Sequence, residues 1–197
     1  MTQIIDPRET SIEGLPVRRV LPARARRSVG PFCFLDEMGP VTFEPGNGID
    51  VPPHPHIGLS TLTYMLDGSI DHRDSMGVFQ PIRPGAVNWM TAGHGVTHSE
   101  RADPKDRERG ATLHGVQAWV ALPPEHEEVE PSFHHHAAGE LPVVEREGVR
   151  LGVLAGEAFG AASPVPVFSP LFYVDAVWSG DAAVEVDAGL GERAVYP

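Results

Sequence analysis

Short apolar runs recur along this chain, and glycine and proline separate them at close intervals. The runs are rich in β-branched and aromatic residues, and they are too short for ordinary helices. With 21 glycines and 20 prolines among 197 residues, turns are frequent enough to join many short strands. The pattern therefore predicts an all-β protein built as an antiparallel sandwich or barrel. The strands that it predicts cover residues 60–65, 87–91, 116–122, 149–154 and 172–177.

Two stretches do not fit the strand pattern. Residues 104–109 are compatible with a helix, but they are few and highly charged, which favours a loop or a single turn. Residues 123–138 are rich in proline and histidine and predict a linker. The linker divides the chain into residues 1–138 and 139–197. The second region stops on an apolar run that predicts the start of a further strand.

Two pairs of candidate metal ligands have the same spacing. His54 and His56 flank a proline. His98 and Glu100 flank a serine further along the chain. In an extended strand, residues i and i+2 point to the same face, so two such pairs on neighbouring strands can converge on one point. Prolines around the first pair place it at a sheet edge, a strand start or a loop, and a glycine-rich turn precedes the second pair.

Three imidazoles and one carboxylate form a ligand set with a definite chemistry. Imidazole with one carboxylate is typical of non-haem iron sites, although Mn, Co, Ni, Cu and Zn accept similar ligands. On an octahedral ion these ligands leave positions open, as a metal-dependent oxygenase requires for dioxygen and a substrate oxygen. The histidines bind metal only when neutral, so metal affinity should fall on acidification. The competing interpretation is four polar residues on solvated strands.

The charge balance limits the classes of partner. Fifteen Lys and Arg against 27 Asp and Glu leave a net charge of −12, which works against attraction to nucleic acid or anionic membranes. The first residues lack the features of a signal peptide, and no stretch approaches the roughly 18 apolar residues of a membrane span. We therefore expect a cytoplasmic protein without a direct nucleic-acid or membrane partner. The single cysteine, Cys33, excludes an internal disulfide and is expected to be a small buried hydrophobic residue.

Several other polar residues have two interpretations. Three consecutive histidines, residues 134–136, lie beside four glutamates and could form a second metal site, but a solvated loop is favoured. His94 lies in the glycine-rich turn, either close behind the ligands or on the rim without a role. Gln117 lies on a predicted strand and either faces the cavity or is a satisfied polar group, and the same applies to His114.

Arginines concentrate near the N-terminus. Such a cluster could be a recognition surface for an acidic protein partner, but an edge hairpin with a solvated basic face is the favoured interpretation. The residues are Arg18, Arg19, Arg24, Arg26 and Arg27.

Two longer segments resemble known motifs. Residues 46–68, GNGIDVPPHPHIGLSTLTYMLDG, are similar to the first cupin motif in their glycines and HxH spacing. Residues 83–100, RPGAVNWMTAGHGVTHSE, resemble the second cupin half and, in the form WMTAGxGxxHSE, the pirin family in particular. GPF at residues 30–32, Leu35-Asp36 and HGVQAWV at residues 114–120 also resemble pirin. The resemblance extends from about Arg18 to the end.

The resemblance implies a bicupin of two β-barrels, with iron in the N-terminal barrel. Its metal ligands map to His54, His56, His98 and Glu100. Many cupins carry a carboxylate shortly after HxH. Here serine and threonine occupy those positions, so Glu100 must supply the acid. Pirins also continue through a full second barrel, so residues 1–138 are expected to form the metal-binding barrel and residues 139–197 a truncated or degenerate second cupin region.

The resemblance further implies an activity, because the family includes members that cleave the flavonol quercetin with dioxygen. Our lead hypothesis is a quercetin 2,3-dioxygenase-like enzyme with Fe²⁺ as the expected ion and Glu100 as base as well as ligand. The partners would be a flavonol-like substrate and dioxygen. The alternatives are a non-enzymatic regulatory protein of the transcriptional co-regulator type, with a partner at the Arg-rich segment, and a metal-free structural fragment. An incomplete second barrel would leave unpaired strands, which predicts self-association or poor order after about Gly139.

Overall fold

A computed structural model of the protein describes residues 3–186, 189 and 191–197. Strands joined by short turns make up most of this part of the chain, as the apolar pattern predicts. In chain order the elements are β1 (Arg8–Ile12), β2 (Leu15–Leu21), β3 (Phe32–Phe43), β4 (Asp50–His56), β5 (Leu59–Asp67), β6 (Ile70–Asp74), β7 (Phe79–Ile82), β8 (Val87–Thr91), β9 (Val96–Ala102), α1 (Pro104–Arg109), β10 (Ala111–Ala121), β11 (Ser132–His136), β12 (Val143–Arg146), β13 (Val149–Ala158), β14 (Ala161–Ala162) and β15 (Phe172–Trp178).

Two antiparallel sheets build the first barrel. The larger has seven strands in the order β1-β2-β3-β10-β5-β8-β11, and the smaller has four in the order β4-β9-β6-β7. Apolar side chains from both sheets meet in one buried cluster, so the sheets pack face to face. The cluster consists of Leu15, Val17, Met38, Ile49, Met65, Ile70, Ile82, Ala86 and Leu113. This arrangement confirms the all-β, cupin-type fold.

Strand β5 is buried on both of its faces. Met65 points into the barrel, whereas Leu62 and Tyr64 point the other way and pack in a second cluster with Leu154 and Val165. Alternation along the strand explains this division, because neighbouring residues face opposite sides of the sheet. Each fully buried side chain of this size contributes about 1.5–3 kcal/mol relative to an exposed one. The region that follows the barrel therefore packs against the outer face of the large sheet.

The expectation of a loop or single turn at residues 104–109 is wrong, because α1 is a short helix. Asp103 caps it by accepting hydrogen bonds from the backbone N–H groups of Lys105 and Asp106. Pro104 occupies the first turn, where its missing N–H costs nothing. Gly110 follows the last helical residue with a φ of 74°, which ends the helix. The caps stabilise a helix that charge and length alone argued against.

The interpretation of residues 123–138 as a linker is also wrong for part of the stretch. Strand β11 lies within it and pairs antiparallel with β8 over its whole length, from Ser132 opposite Thr91 to His136 opposite Val87. Because β11 is a polar edge strand, it lacks the apolar signal that marks a central strand. The division into residues 1–138 and 139–197 stays a prediction.

The N-terminal hairpin of β1 and β2 forms one edge of the large sheet and carries Arg18 and Arg19, whereas the other arginines of the cluster follow β2. Arg19 forms an ion pair with the buried carboxylate of Asp36 at 2.7 Å. Arg18 forms an ion pair with Glu37. Both arginines therefore interact with the neighbouring strand β3.

The region after the barrel forms a small sheet in which β13 pairs with β12, β14 and β15. Within the described residues, β15 pairs with β13 alone, and Val177 and Trp178 near its end are 52% and 48% exposed. Apolar residues on a strand edge favour pairing with a second chain. Self-association stays a prediction that light scattering can test. Among the described residues, no helix has the length and apolar character needed to cross a membrane.

Candidate metal centre

Antiparallel pairing of β4 and β9 brings the two predicted ligand pairs together. His54 lies directly opposite His98, and Glu100 lies opposite Val51 on the other side of an irregularity in the register. Since each pair has the i, i+2 spacing, its two side chains point to the same face of the small sheet. The strand alternation that the sequence predicted therefore places all four side chains in one region of the barrel.

The three histidines lie close enough to share one ion. One ligand nitrogen from each of His54, His56 and His98 lies within 4.8 Å of the others. Their ring centroids are 4.4–5.0 Å apart. Metal–nitrogen bonds of about 2 Å require nitrogens in this proximity, with small side-chain adjustments. Within the described part of the chain, no second group of this kind is found.

Glu100 is 7% exposed, and its Oε1 lies 3.6 Å from Nδ1 of His98, although the group of atoms within 4.8 Å of one another contains only the three histidines. Gln117 Nε2 donates to its Oε1 at 3.4 Å, whereas its Oε2 is buried and has no hydrogen-bond partner among the described residues. Burial raises the pKa of this carboxyl, and the neighbouring His54 and Gln117 act in the opposite direction. A buried acid with one unpartnered oxygen is costly unless a cation or a proton completes it. Glu100 therefore fits the role of a metal ligand.

The histidine rings also have nitrogen lone pairs that can bind a cation. Burial lowers the pKa of His56 to about 4 and lowers that of His98 as well, so both rings are neutral near pH 7. His98 Nε2 is buried and without a partner in the described part of the chain. His54 Nδ1 donates to the carbonyl of Pro52 at 2.9 Å, which leaves the lone pair of Nε2 free. Neutral imidazoles and a carboxylate fit a transition metal such as iron.

Aromatic rings form the wall of the site on the side of the large sheet. Trp119 on β10 meets the His56 ring edge-on at 4.9 Å and stacks on Phe34 at 4.0 Å with an interplanar angle of 11°. On another side, Phe133 on β11 packs 4.5 Å from His72. His56 and His98 are buried, whereas His54 is only partly buried and marks the open side.

Two residues of the centre were not predicted, His72 and Asp74 on β6. His72 Nδ1 lies 3.2 Å from Nδ1 of His98, and His72 Nε2 lies 3.0 Å from Asp74 Oδ2. Strand β6 pairs with β9, so that His72 lies opposite Glu100 and Asp74 opposite His98. The segment His72-Arg73-Asp74 has the same i, i+2 spacing as the two ligand pairs, and this spacing was the signal that could have found it.

The structure separates the other candidate residues. Gln117 faces the centre through its contact with Glu100, whereas His114 lies 2.8 Å from Glu37 instead. His94 is half-exposed on the rim, where its Nε2 lies 3.2 Å from a carboxylate oxygen of Glu130.

The three consecutive histidines are not a solvated loop, because they lie on strand β11. His135 Nδ1 lies 2.7 Å from the side-chain oxygen of the buried Asn88, and His134 is exposed. Cys33 is half-buried, and its thiol lies 3.6 Å from the carbonyl of Trp119.

Face-to-face antiparallel sheets with a histidine cluster that could hold a metal define a β-barrel protein of the cupin type. Comparison with known families gives the particular group. The family model described as Pirin matches residues 14–120. The chain belongs to the pirin family.

Individual relatives agree with this assignment. The chain is 53% identical to a pirin-like protein of Caulobacter vibrioides over 196 residues, covering 98% of this chain and 68% of the relative. It is 37% identical to human pirin over 162 residues, covering 78% of this chain and 52% of that protein.

Among solved structures, a crystal structure of quercetin 2,3-dioxygenase from Acinetobacter baumannii superimposes with a TM-score of 0.83 at 46% identity. This match covers 88% of the chain and 56% of that protein. The chain thus spans from about half to two thirds of the length of these relatives.

Proposed function

We propose that this chain is a pirin-type metalloprotein that holds one transition metal, with Fe²⁺ as the expected ion, and opens a flavonol with dioxygen. The observation that carries the proposal is the convergence of three histidines, of which the buried His56 and His98 are neutral near pH 7, together with the buried Glu100, whose Oε2 has no hydrogen-bond partner among the described residues. The similarity to a quercetin 2,3-dioxygenase supports the substrate class. Because the chain spans only part of that relative, the relative's activity is a proposal for this chain.

His54, His56, His98 and Glu100 would hold the ion. When bound, the metal supplies a Lewis-acidic centre with the redox capacity for reaction with dioxygen. The two buried histidines and the apolar surroundings keep bulk water from most of the site. The partly exposed His54 side leaves the approach for substrate.

Glu100 would also accept the proton of the flavonol hydroxyl group next to the carbonyl. Its pKa is raised by burial, which makes the carboxylate a stronger base than an exposed glutamate. Gln117 donates to one carboxylate oxygen at 3.4 Å, and the other oxygen has no hydrogen-bond partner among the described residues. Removing the hydroxyl proton makes the flavonol electron-rich and thus reactive toward dioxygen.

The stacked rings of Trp119 and Phe34 suit a flat aromatic substrate. Aromatic pairs prefer offset or edge-on contacts at centroid separations of about 4.5–7 Å. Trp119 already makes such an edge-on contact with His56 at 4.9 Å, so its ring borders the ligands directly. A flavonol that leans on this wall would present its oxygens to the metal centre.

Turnover of quercetin tests the proposal. The chain is loaded anaerobically with Fe²⁺, exposed to air with quercetin, and assayed for loss of substrate and release of carbon monoxide. We expect product from the wild-type protein and none above background from His98→Ala with the same metal treatment. Carbon monoxide at equal rates in both proteins, or in neither, would remove the enzyme from consideration.

Metal content separates two reasons for a negative result. Elemental analysis of the freshly purified and the Fe²⁺-loaded protein should give close to one equivalent of metal. Less than about a tenth of an equivalent in both samples would refute the metal centre itself. One equivalent without turnover would leave a metal-binding protein that lacks the proposed activity.

The regulatory alternative depended on the arginine-rich N-terminal segment. Arg18 and Arg19 form ion pairs with Glu37 and Asp36, and Arg26 pairs with a glutamate near the C-terminus at 2.9 Å. Three of the five arginines of the segment are thus paired with carboxylates of the same chain. The geometry therefore favours the dioxygenase over recognition of an acidic partner at this surface.

A further inference from the structure

A line of polar contacts leads from His98 to strand β6, which lies on the other side of β9 from β4. Asp74 Oδ2 lies 3.0 Å from His72 Nε2, and His72 Nδ1 lies 3.2 Å from His98 Nδ1. The side chains of Asp74, His72 and His98 are 0%, 7% and 2% exposed. Water therefore has little access to these contacts, and each ring nitrogen must use the partner that the protein provides.

The order of donors and acceptors along this line follows from its first member. An ionised carboxylate only accepts hydrogen bonds, so His72 Nε2 carries the hydrogen and donates to Asp74. A neutral imidazole has only one ring hydrogen, so with that hydrogen on Nε2 the other nitrogen of His72, Nδ1, is an acceptor. The hydrogen of His98 must then lie on Nδ1 and point to His72. His98 Nε2, the buried nitrogen without a partner in the described residues, is left with its lone pair.

We propose that Asp74 and His72 are positioning residues that hold His98 in the one tautomer able to bind metal through Nε2. The proposal deepens the proposed function and rests on His98 being a metal ligand. The carboxylate at the end of the line also makes His98 a stronger electron donor, as acceptors of the second histidine nitrogen do in metal sites. Asp74 and His72 act through His98 and do not touch the substrate.

Other contacts keep the two positioning residues in place. Asp74 Oδ1 accepts hydrogen bonds from the backbone N–H groups of Met76 at 2.9 Å and Val78 at 3.1 Å. These bonds hold the carboxylate in the turn after β6 and leave Oδ2 for His72. The His72 ring is held in turn against Phe133, with 4.5 Å between ring centroids.

Glu100 does not take the place of His72 as the hydrogen-bond partner of His98 Nδ1. Its Oε1 lies 3.6 Å from His98 Nδ1, which is beyond hydrogen-bond distance. His72 is the nearer partner at 3.2 Å. The orientation of His98 therefore depends on β6 and not on the neighbouring ligand of its own strand.

Asp74→Asn reverses the order of hydrogen-bond donors and acceptors from residue 74 to His98 while changing few atoms. The asparagine carbonyl can keep both backbone hydrogen bonds, and its amide nitrogen then faces His72 Nε2 with a donor. His72 must place its hydrogen on Nδ1, and His98 must place its own on Nε2, where it blocks the metal. We expect affinity for Co²⁺ and Fe²⁺ to fall 10- to 100-fold. Asp71→Asn is the matched control, because Asp71 is a buried carboxylate on the opposite face of the same strand.

The tautomer can be read without any metal. In ¹⁵N NMR spectra of the metal-free protein, the His98 ring should carry its hydrogen on Nδ1 in the wild type and in Asp71→Asn. In Asp74→Asn it should carry the hydrogen on Nε2. The signals are assigned by their loss in His98→Ala. An unchanged His98 tautomer together with unchanged Co²⁺ affinity in Asp74→Asn would overturn the proposal.

A second pair of variants covers the case in which Asp74→Asn does not fold. His72→Phe keeps a ring against Phe133 but removes the acceptor, so Co²⁺ affinity should fall 10- to 100-fold. His72→Gln restores a carbonyl acceptor for His98 Nδ1 and should recover part of the affinity and of the wild-type Co²⁺ absorption spectrum. Equal affinities for the two variants would refute the proposal. If the wild-type protein binds no metal, the proposed function fails, whereas the NMR result still decides the tautomer.

Discussion

Two groups of three histidines in this protein differ in how their separation along the chain compares with their distance in the structure. His54, His56 and His98 come from two strands that are far apart in the chain, yet their ligand nitrogens lie within 4.8 Å. His134, His135 and His136 are consecutive, yet they alternate between the two faces of β11. Adjacent positions on a strand are thus a poor arrangement for a shared ion, whereas the i, i+2 spacing on paired strands is a good one.

Burial separates the two groups as strongly as geometry does. His56 and His98 are 7% and 3% exposed and lie between two sheets. His134 to His136 lie on an edge strand, where one ring is exposed and another is used by Asn88. The first group therefore suits metal binding, whereas the second contributes to the stability of the sheet edge.

The largest effect should come from removing one member of the first group. His98→Ala should lower the affinity for Co²⁺ or Fe²⁺ by roughly 100-fold or more, since loss of a ligand should exceed the effect of changing its supporting residues. His135→Ala should leave the affinity unchanged. Isothermal titration with Co²⁺ measures both, and equal losses in the two variants would break the comparison.

Acidification should reveal the burial of the first group in the metal-free protein. The unfolded chain protonates His56 below about pH 6.5, but the folded protein resists this until about pH 4. The stability is therefore present above pH 6.5 and is lost as the pH falls through this window, by on the order of 3 kcal/mol for His56. Urea unfolding with a chelator present should show a weaker pH dependence for His56→Gln.

Glu100 is common to both proteins in this experiment. Its raised pKa acts with the opposite sign, because it favours the folded state at low pH. The difference between wild type and His56→Gln therefore isolates the histidine. Identical pH profiles would show that His56 is more hydrated than its burial indicates.

A smaller effect is expected from His135→Ala, and it should be on stability alone. The change removes the 2.7 Å contact with Asn88, whose side chain is 4% exposed and would lose a partner. Loss of a hydrogen bond to a buried polar group costs about 1 kcal/mol or more. Chemical denaturation should show this loss. A stability equal to that of the wild type would mean that water replaces the histidine.

The smallest effect is expected from His134→Ala. His134 is exposed on the edge strand, so the free energy of unfolding should change by less than about 0.5 kcal/mol. Metal affinity should also stay at the wild-type value. A drop in either quantity would show that the second histidine group has a role that its exposure does not indicate.

The ligand spacing and the central strands could be predicted from the sequence because both depend on local alternation. The predicted strand at residues 87–91 coincides with β8, and the predicted strand at residues 60–65 lies within β5. Edge and cap features were missed for a physical reason. Strand β11 is polar because it is a partly buried edge strand, and α1 depends on hydrogen bonds accepted by Asp103, which apolar patterning does not register.

The sequence by itself determined which residues are candidate metal ligands and which of them share a strand face, because side-chain alternation is a property of each strand alone. Only the tertiary structure decided which strands are neighbours. The pairing of β6 with β9 brought His72 and Asp74 behind His98, and the packing of the large sheet brought Gln117 and Trp119 to the ligands. These contacts join distant parts of the chain through hydrogen bonding and packing of whole sheets, which no local spacing specifies.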